Sequence, residues 1–103
     1  MRVHFVECLI SATMRFGCSS TILYSSINVL DRYLEKKGNV HMNPSKLLPA
    51  ALLHITSSLE GSPVTLKELS NFSKFDVDII LDLEQRIHSM VEIKVRATDK
   101  KFQ

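Results

Sequence analysis

"LLPAALLHIT", residues 47–56, is the stretch on which the fold turns. In an ordinary surface helix the apolar residues recur every three or four positions and make one face. Here Leu47, Leu48, Ala50, Ala51, Leu52, Leu53 and Ile55 go almost all the way round. A helix apolar on most faces has to be buried on most faces, so other helices must surround it. Just before it, "NPSK" offers Asn43 as an N-cap with Pro44 in the first helical position, where a missing N–H costs nothing. Just after it, "EGSPV" breaks the chain.

The surrounding helices are legible on both sides. Phe5, Leu9, Ala12 and Phe16 hold helical spacing over 1–16, with Gly17 as a natural stop. Ser19 or Ser20 caps a second helix over 20–37, whose stripe is Leu23, Ile27, Leu30 and Leu34, with a second row of Ile22, Val29 and Tyr33. Lys36 and Lys37 suit its last turn, and Gly38 follows. Thr65 with Glu68 is a capping box that opens a short helix over 65–73, burying Leu66, Leu69 and Phe72. Ile80, Leu83, Ile87, Met90 and Val91 then predict a fifth helix over 76–91, capped by Asp76. Residues 93–103 lose periodicity and read as a C-terminal tail to one domain over 1–92. No repeat, low-complexity stretch or sustained strand alternation interrupts this plan, which is all-α with helix three at the centre.

Composition narrows the function. A chain of 103 residues with 45% hydrophobic and 23% charged residues can bury one core and is not a disordered segment. Thirteen Lys and Arg against eleven Asp and Glu give a net charge of +2, too weak to argue for nucleic acid or a membrane surface. Lys36, Lys37, Lys100 and Lys101 sit at helix and chain ends and form no basic stripe. Glu7 interrupts the apolar run that a signal peptide would need. Cys8 and Cys18 have no C-x-x-C or zinc spacing, so they read as reduced thiols of an intracellular protein, in nucleus or cytoplasm.

No clustered acids, no Ser or Cys beside a His and no phosphate-cradling glycine loop is present, so no enzyme, small-molecule substrate or cofactor is expected. His4, His41, His54 and His88 never fall at i, i+4, which leaves no metal site. His54, on the buried central helix, reads as a hydrogen-bonded core histidine.

One carboxylate stands out. In "INVLDRYL", residues 27–34, Asp31 flanks the apolar stripe, where a charge is tolerated only if water or a partner satisfies it. Together with "MRVHFVECL" at 1–9, "PAALLHITSSLEGSP" at 49–63 and "ILDLEQRI" at 80–87, it forms a series that resembles the cyclin box, the helical module with which cyclins bind cyclin-dependent kinases. The resemblance covers nearly the whole chain and implies a five-helix box. It implies an ion pair between Arg2 and Asp31 that registers the first helix against the second; the alternative is that Asp31 and Arg32 both face solvent.

The resemblance also implies a partner, a protein kinase of the cyclin-dependent class. In the family, a lysine near the end of helix three and a glutamate in helix five grip the kinase backbone beside its C-helix, which must swing in to complete the ATP site. Glu84 matches the glutamate, on an exposed face, although it is also readable as an ordinary exposed helix residue. The lysine is missing: Ser57 or Ser58 stands there, and a hydroxyl cannot replace a long cation. Ile93 falls where the family often has an aromatic. Met1, His4, Phe5 and Cys8 match the family's groove for linear peptides but depart from its pattern of an aliphatic second and a tryptophan last residue, so they are a divergent docking patch or simply core. The implied function is a cyclin-like subunit that regulates a kinase in cell-cycle or transcription control. The alternative is a cyclin-fold scaffold or transcription-factor-like module that binds protein or DNA without activating a kinase. One box is read on this chain, which fits a single-box protein or a piece of a two-box one.

Overall fold

The structure is a computed structural model that describes residues 2–37, 46–61 and 63–91. Helix α3 (Leu47–Leu59) is its axis, and α1 (Arg2–Phe16), α2 (Ser20–Lys37), α4 (Leu66–Ser73) and α5 (Val77–Met90) all pack on it. The continuous run Leu48–Leu53, with Ile55, Thr56 and Ser57, is buried, as its nearly unbroken apolar sequence requires. Around this axis α1 also rests on α2, α2 on α5 and α5 on α4, and the Phe16 ring of α1 meets the Phe72 ring of α4 edge to face, so the four outer helices close a ring.

Local chemistry explains most helix ends. Gly17 sits at φ +68 and ends α1, a left-handed conformation that glycine adopts at no steric cost. Ser19 Oγ accepts the Ile22 N–H at 3.3 Å, and Thr65 Oγ1 accepts the Glu68 N–H at 3.2 Å, which is the forward half of the expected capping box. Asp76 holds the N-cap position of α5 in extended backbone, but its side chain makes no cap hydrogen bond. α4 ends on Lys74 at φ 68, a left-handed residue with a Cβ. α3 begins at Leu47, with Pro49 in its first turn, where the helix leaves backbone N–H groups without an intrahelical partner anyway. The expected cap Asn43 and Pro44 lie outside the described residues, as does the tail 93–103.

The buried face of α2 is not the one that the apolar spacing names first. Ile22, Ser26, Val29, Leu30 and Tyr33 are buried, whereas Leu23, Ile27 and Leu34 are only partly so. The centre of the face is Ser26, a polar residue and therefore invisible to an apolar stripe. Its Oγ lies 2.7 Å from Thr56 Oγ1 of α3, and Thr56 Oγ1 in turn donates to the Leu52 carbonyl at 3.0 Å. A hydroxyl has one proton, so Ser26 is the donor in the pair. Asp31 is exposed on the opposite side of α2, and the Arg2 side chain expected to meet it lies outside the described residues. Among the described residues no helix is long and apolar enough to cross a membrane.

Candidate partner-binding face

On α5, Ile80, Glu84 and Ile87 occupy successive turns of one side and all three are buried. The two isoleucines are anchored in the core, and the rigid helix carries Glu84 into the seam against α3 with them. This corrects the expectation of Glu84 on an exposed face: only 9% of the residue is accessible. Two apolar neighbours one turn away on either side outweigh the preference of a single carboxylate for water.

The carboxylate does not enter the seam alone. His54 of α3 places Nδ1 2.6 Å from Glu84 Oε2, with side-chain exposures of 20% and 12%. The contact is an ion pair by distance but falls short of hydrogen-bond alignment, and neither atom has another hydrogen-bond partner among the described residues. His54, expected as a hydrogen-bonded core histidine, is thus only partly buried and stands against a carboxylate. Burial pushes the Glu84 carboxyl above its ordinary range, because removing a carboxylate from water disfavours its charged form. His54 opposes that shift, and His88, a turn further along α5, opposes it more weakly.

The two serines at the expected lysine position separate. Ser57 is fully buried; its Oγ donates to the His54 carbonyl at 3.3 Å and accepts the Val64 N–H at 3.1 Å. It ties the chain after α3 back onto the helix, a structural role that the sequence reading missed. Ser58 is exposed at the mouth of the seam. His54 stands one turn before both, so a group able to carry positive charge lies on α3, displaced by a turn from the expected place. Ile93 lies outside the described residues.

The second expected surface is largely absorbed by the core. Phe5 is fully buried, while His4 and Cys8 are partly buried, with Nε2 and Sγ 3.7 Å apart. Met1 lies outside the described residues. His4 and Cys8 share a shallow cavity of about 160 Å³ with Glu7, Ser11, Lys46 and Phe72, and Lys46 Nζ sits 5.0 Å from the centre of the Phe72 ring. The cavity lining mixes apolar surface with the charged side chains of Glu7 and Lys46. Burial raises the thiols of Cys8 and Cys18 above their ordinary range, so neither is an activated nucleophile. Among the described residues no three His, Cys, Asp or Glu side chains gather to hold a metal ion.

Five helices with an apolar one at the axis define an all-α helical box. The family model for the cyclin N-terminal domain matches residues 1–96, and the chain belongs to that family. Its domains are regulatory rather than catalytic. No curated protein and no solved structure gives a significant match to the chain.

Proposed function

We propose that the chain is a regulatory subunit that binds a cyclin-dependent protein kinase inside the cell, in nucleus or cytoplasm, and biases it towards its active arrangement through the face formed by α3 and α5. What supports the reading is Glu84, set in that seam beside His54, together with the resemblance of "ILDLEQRI" to the family's helix-five segment, by which Glu84 matches the kinase-gripping glutamate. A subunit can shift a kinase only by binding one arrangement better than the other. Contacts beside the kinase C-helix meet this need, since the position of that helix differs between the two states.

The test is calorimetric titration of the purified chain against a set of purified cyclin-dependent kinases, with peptide phosphorylation measured alongside. A Kd in the micromolar range or tighter is expected for at least one kinase, with the affinity reduced at least about tenfold by Ser58→Trp, which alters an exposed residue beside the seam and leaves the core alone. Absence of binding across the set overturns the reading. Binding without activation supports the second reading, a non-activating scaffold. What favours that reading is Ser57, whose hydroxyl is committed to the fold where a lysine would reach the partner.

A further inference from the structure

We propose that His54 takes over the work of the missing lysine: it steadies Glu84 in the α3–α5 seam as an acceptor, so that the two side chains together present one donor and one acceptor to the main chain of the bound kinase. The inference rests on the kinase-binding reading above for its partner, and on the geometry of this pair for its substance.

Four observations converge on it. The nearest α3 residue to Glu84 that can carry positive charge is His54, with Nδ1 2.6 Å from Oε2. Both of these atoms are fully shielded, so the exposure that remains to the two side chains, 20% and 12%, lies on their other atoms. An imidazole that turns Nδ1 towards a carboxylate still has Nε2 on the far side of its ring, where a proton makes it a donor; a carboxylate that turns Oε2 towards an imidazole still has Oε1 as an acceptor. A peptide main chain offers the complementary carbonyl and N–H. Finally, Ser57 is unavailable for the task because its hydroxyl already serves the His54 carbonyl and the Val64 N–H. That bond fixes the α3 backbone at His54 itself, which adds to the positioning of the ring.

A simple structural pair would hold α3 to α5 and do nothing else, so the test needs readouts that separate the two roles. The first is independent of any kinase: the Glu84 side-chain carboxyl carbon is followed by NMR against pH in the wild type, His54→Gln, His54→Lys and His88→Gln. Loss of the cation in His54→Gln is expected to raise the midpoint, His54→Lys to keep it at or below the wild-type value, and His88→Gln to move it least, matching the order of their influence on Glu84. An unchanged midpoint in His54→Gln overturns the inference whatever the partner. The second readout is affinity for the kinases used above, with melting measured on every variant. His54→Gln, which keeps a side-chain donor without the charge, is expected to lose at least about tenfold in affinity, and His54→Lys to restore it. Wild-type binding that all variants share equally overturns the inference and leaves the kinase-binding reading standing. No wild-type binding at all removes the kinase reading and this inference with it.

Discussion

Helix α3 makes a polar contact with α2 and another with α5, and the two differ in kind. Towards α2, Thr56 meets Ser26: both are neutral, both are closed off from solvent, and the proton count leaves no ambiguity about who donates. Towards α5, His54 meets Glu84: both can change charge, and both keep some contact with water. Desolvation explains the placement. A hydroxyl pair loses little when sealed into a core provided its hydrogen bonds are made, whereas an ionised pair sealed at the same depth costs several kcal/mol. The neutral contact can therefore sit in the middle of the bundle as architecture. The ionisable one stays at the rim, where it remains within reach of a partner.

The comparison can be broken most easily at its neutral end. Thr56→Val removes the acceptor of the Ser26 proton at a site closed off from solvent, and is expected to lower stability by about 1–3 kcal/mol in urea unfolding. Ser26→Ala should cost less than Thr56→Val, because Thr56 keeps its bond to the Leu52 carbonyl. The reverse order would show that the donor has been assigned to the wrong hydroxyl.

The ionisable end should show the same asymmetry for a different reason. His54→Leu leaves Glu84 in the seam without its imidazole partner and is expected to cost about 1–2 kcal/mol, less than a fully buried charge would because the seam is partly open. Glu84→Gln removes the group that burial penalises and should be close to neutral. Equal losses from the two substitutions would mean that the pair contributes only packing.

A pH series separates the seams further. The folded chain binds the Glu84 proton more tightly than the unfolded chain does, so this group favours folding most below its ordinary value of 4.5 and loses that contribution as pH rises through the raised folded value. The stability of Glu84→Gln relative to the wild type should therefore increase from about pH 4.5 towards neutrality and then level off. The same difference taken for Thr56→Val should not depend on pH. A flat Glu84→Gln series would show that burial and the two histidines cancel.

The smallest effect lies away from both seams and calibrates the others. Lys74 ends α4 at φ 68, where a Cβ is strained, and Lys74→Gly should raise stability by up to about 1 kcal/mol after allowing for the added freedom of the unfolded chain. A melting temperature that falls would mean that the Lys74 side chain holds something the backbone geometry does not reveal.

How much of this was legible follows from what each signal measures. Apolar spacing marks where a helix runs and roughly which side turns inward, so α3, wrapped in Leu, Ala and Ile, was readable as the axis, and the five helices fell within a few residues of their observed ends. Spacing says nothing of a polar residue at the centre of a buried face. Ser26 was therefore missed, and the α2 face was read first through Leu23, Ile27, Leu30 and Leu34, with Ile22, Val29 and Tyr33 as a second row, when that second row with Ser26 and Leu30 is the side that is buried. Glu84 failed in the same way: as a carboxylate it was assigned to the surface, although Ile80 and Ile87 on either side of it already pointed inward.

The sequence by itself determined that this chain is an all-α box of five helices around an apolar one, and that it resembles the cyclins without their helix-three lysine, because local spacing, capping residues and missing side chains are properties of the chain in order. Only the tertiary structure decided that His54 of α3 and Glu84 of α5 meet at 2.6 Å, and that Ser57 is already committed. Those facts depend on the rotation of one helix against another, which is set by the packing of both faces together and is written in neither helix alone.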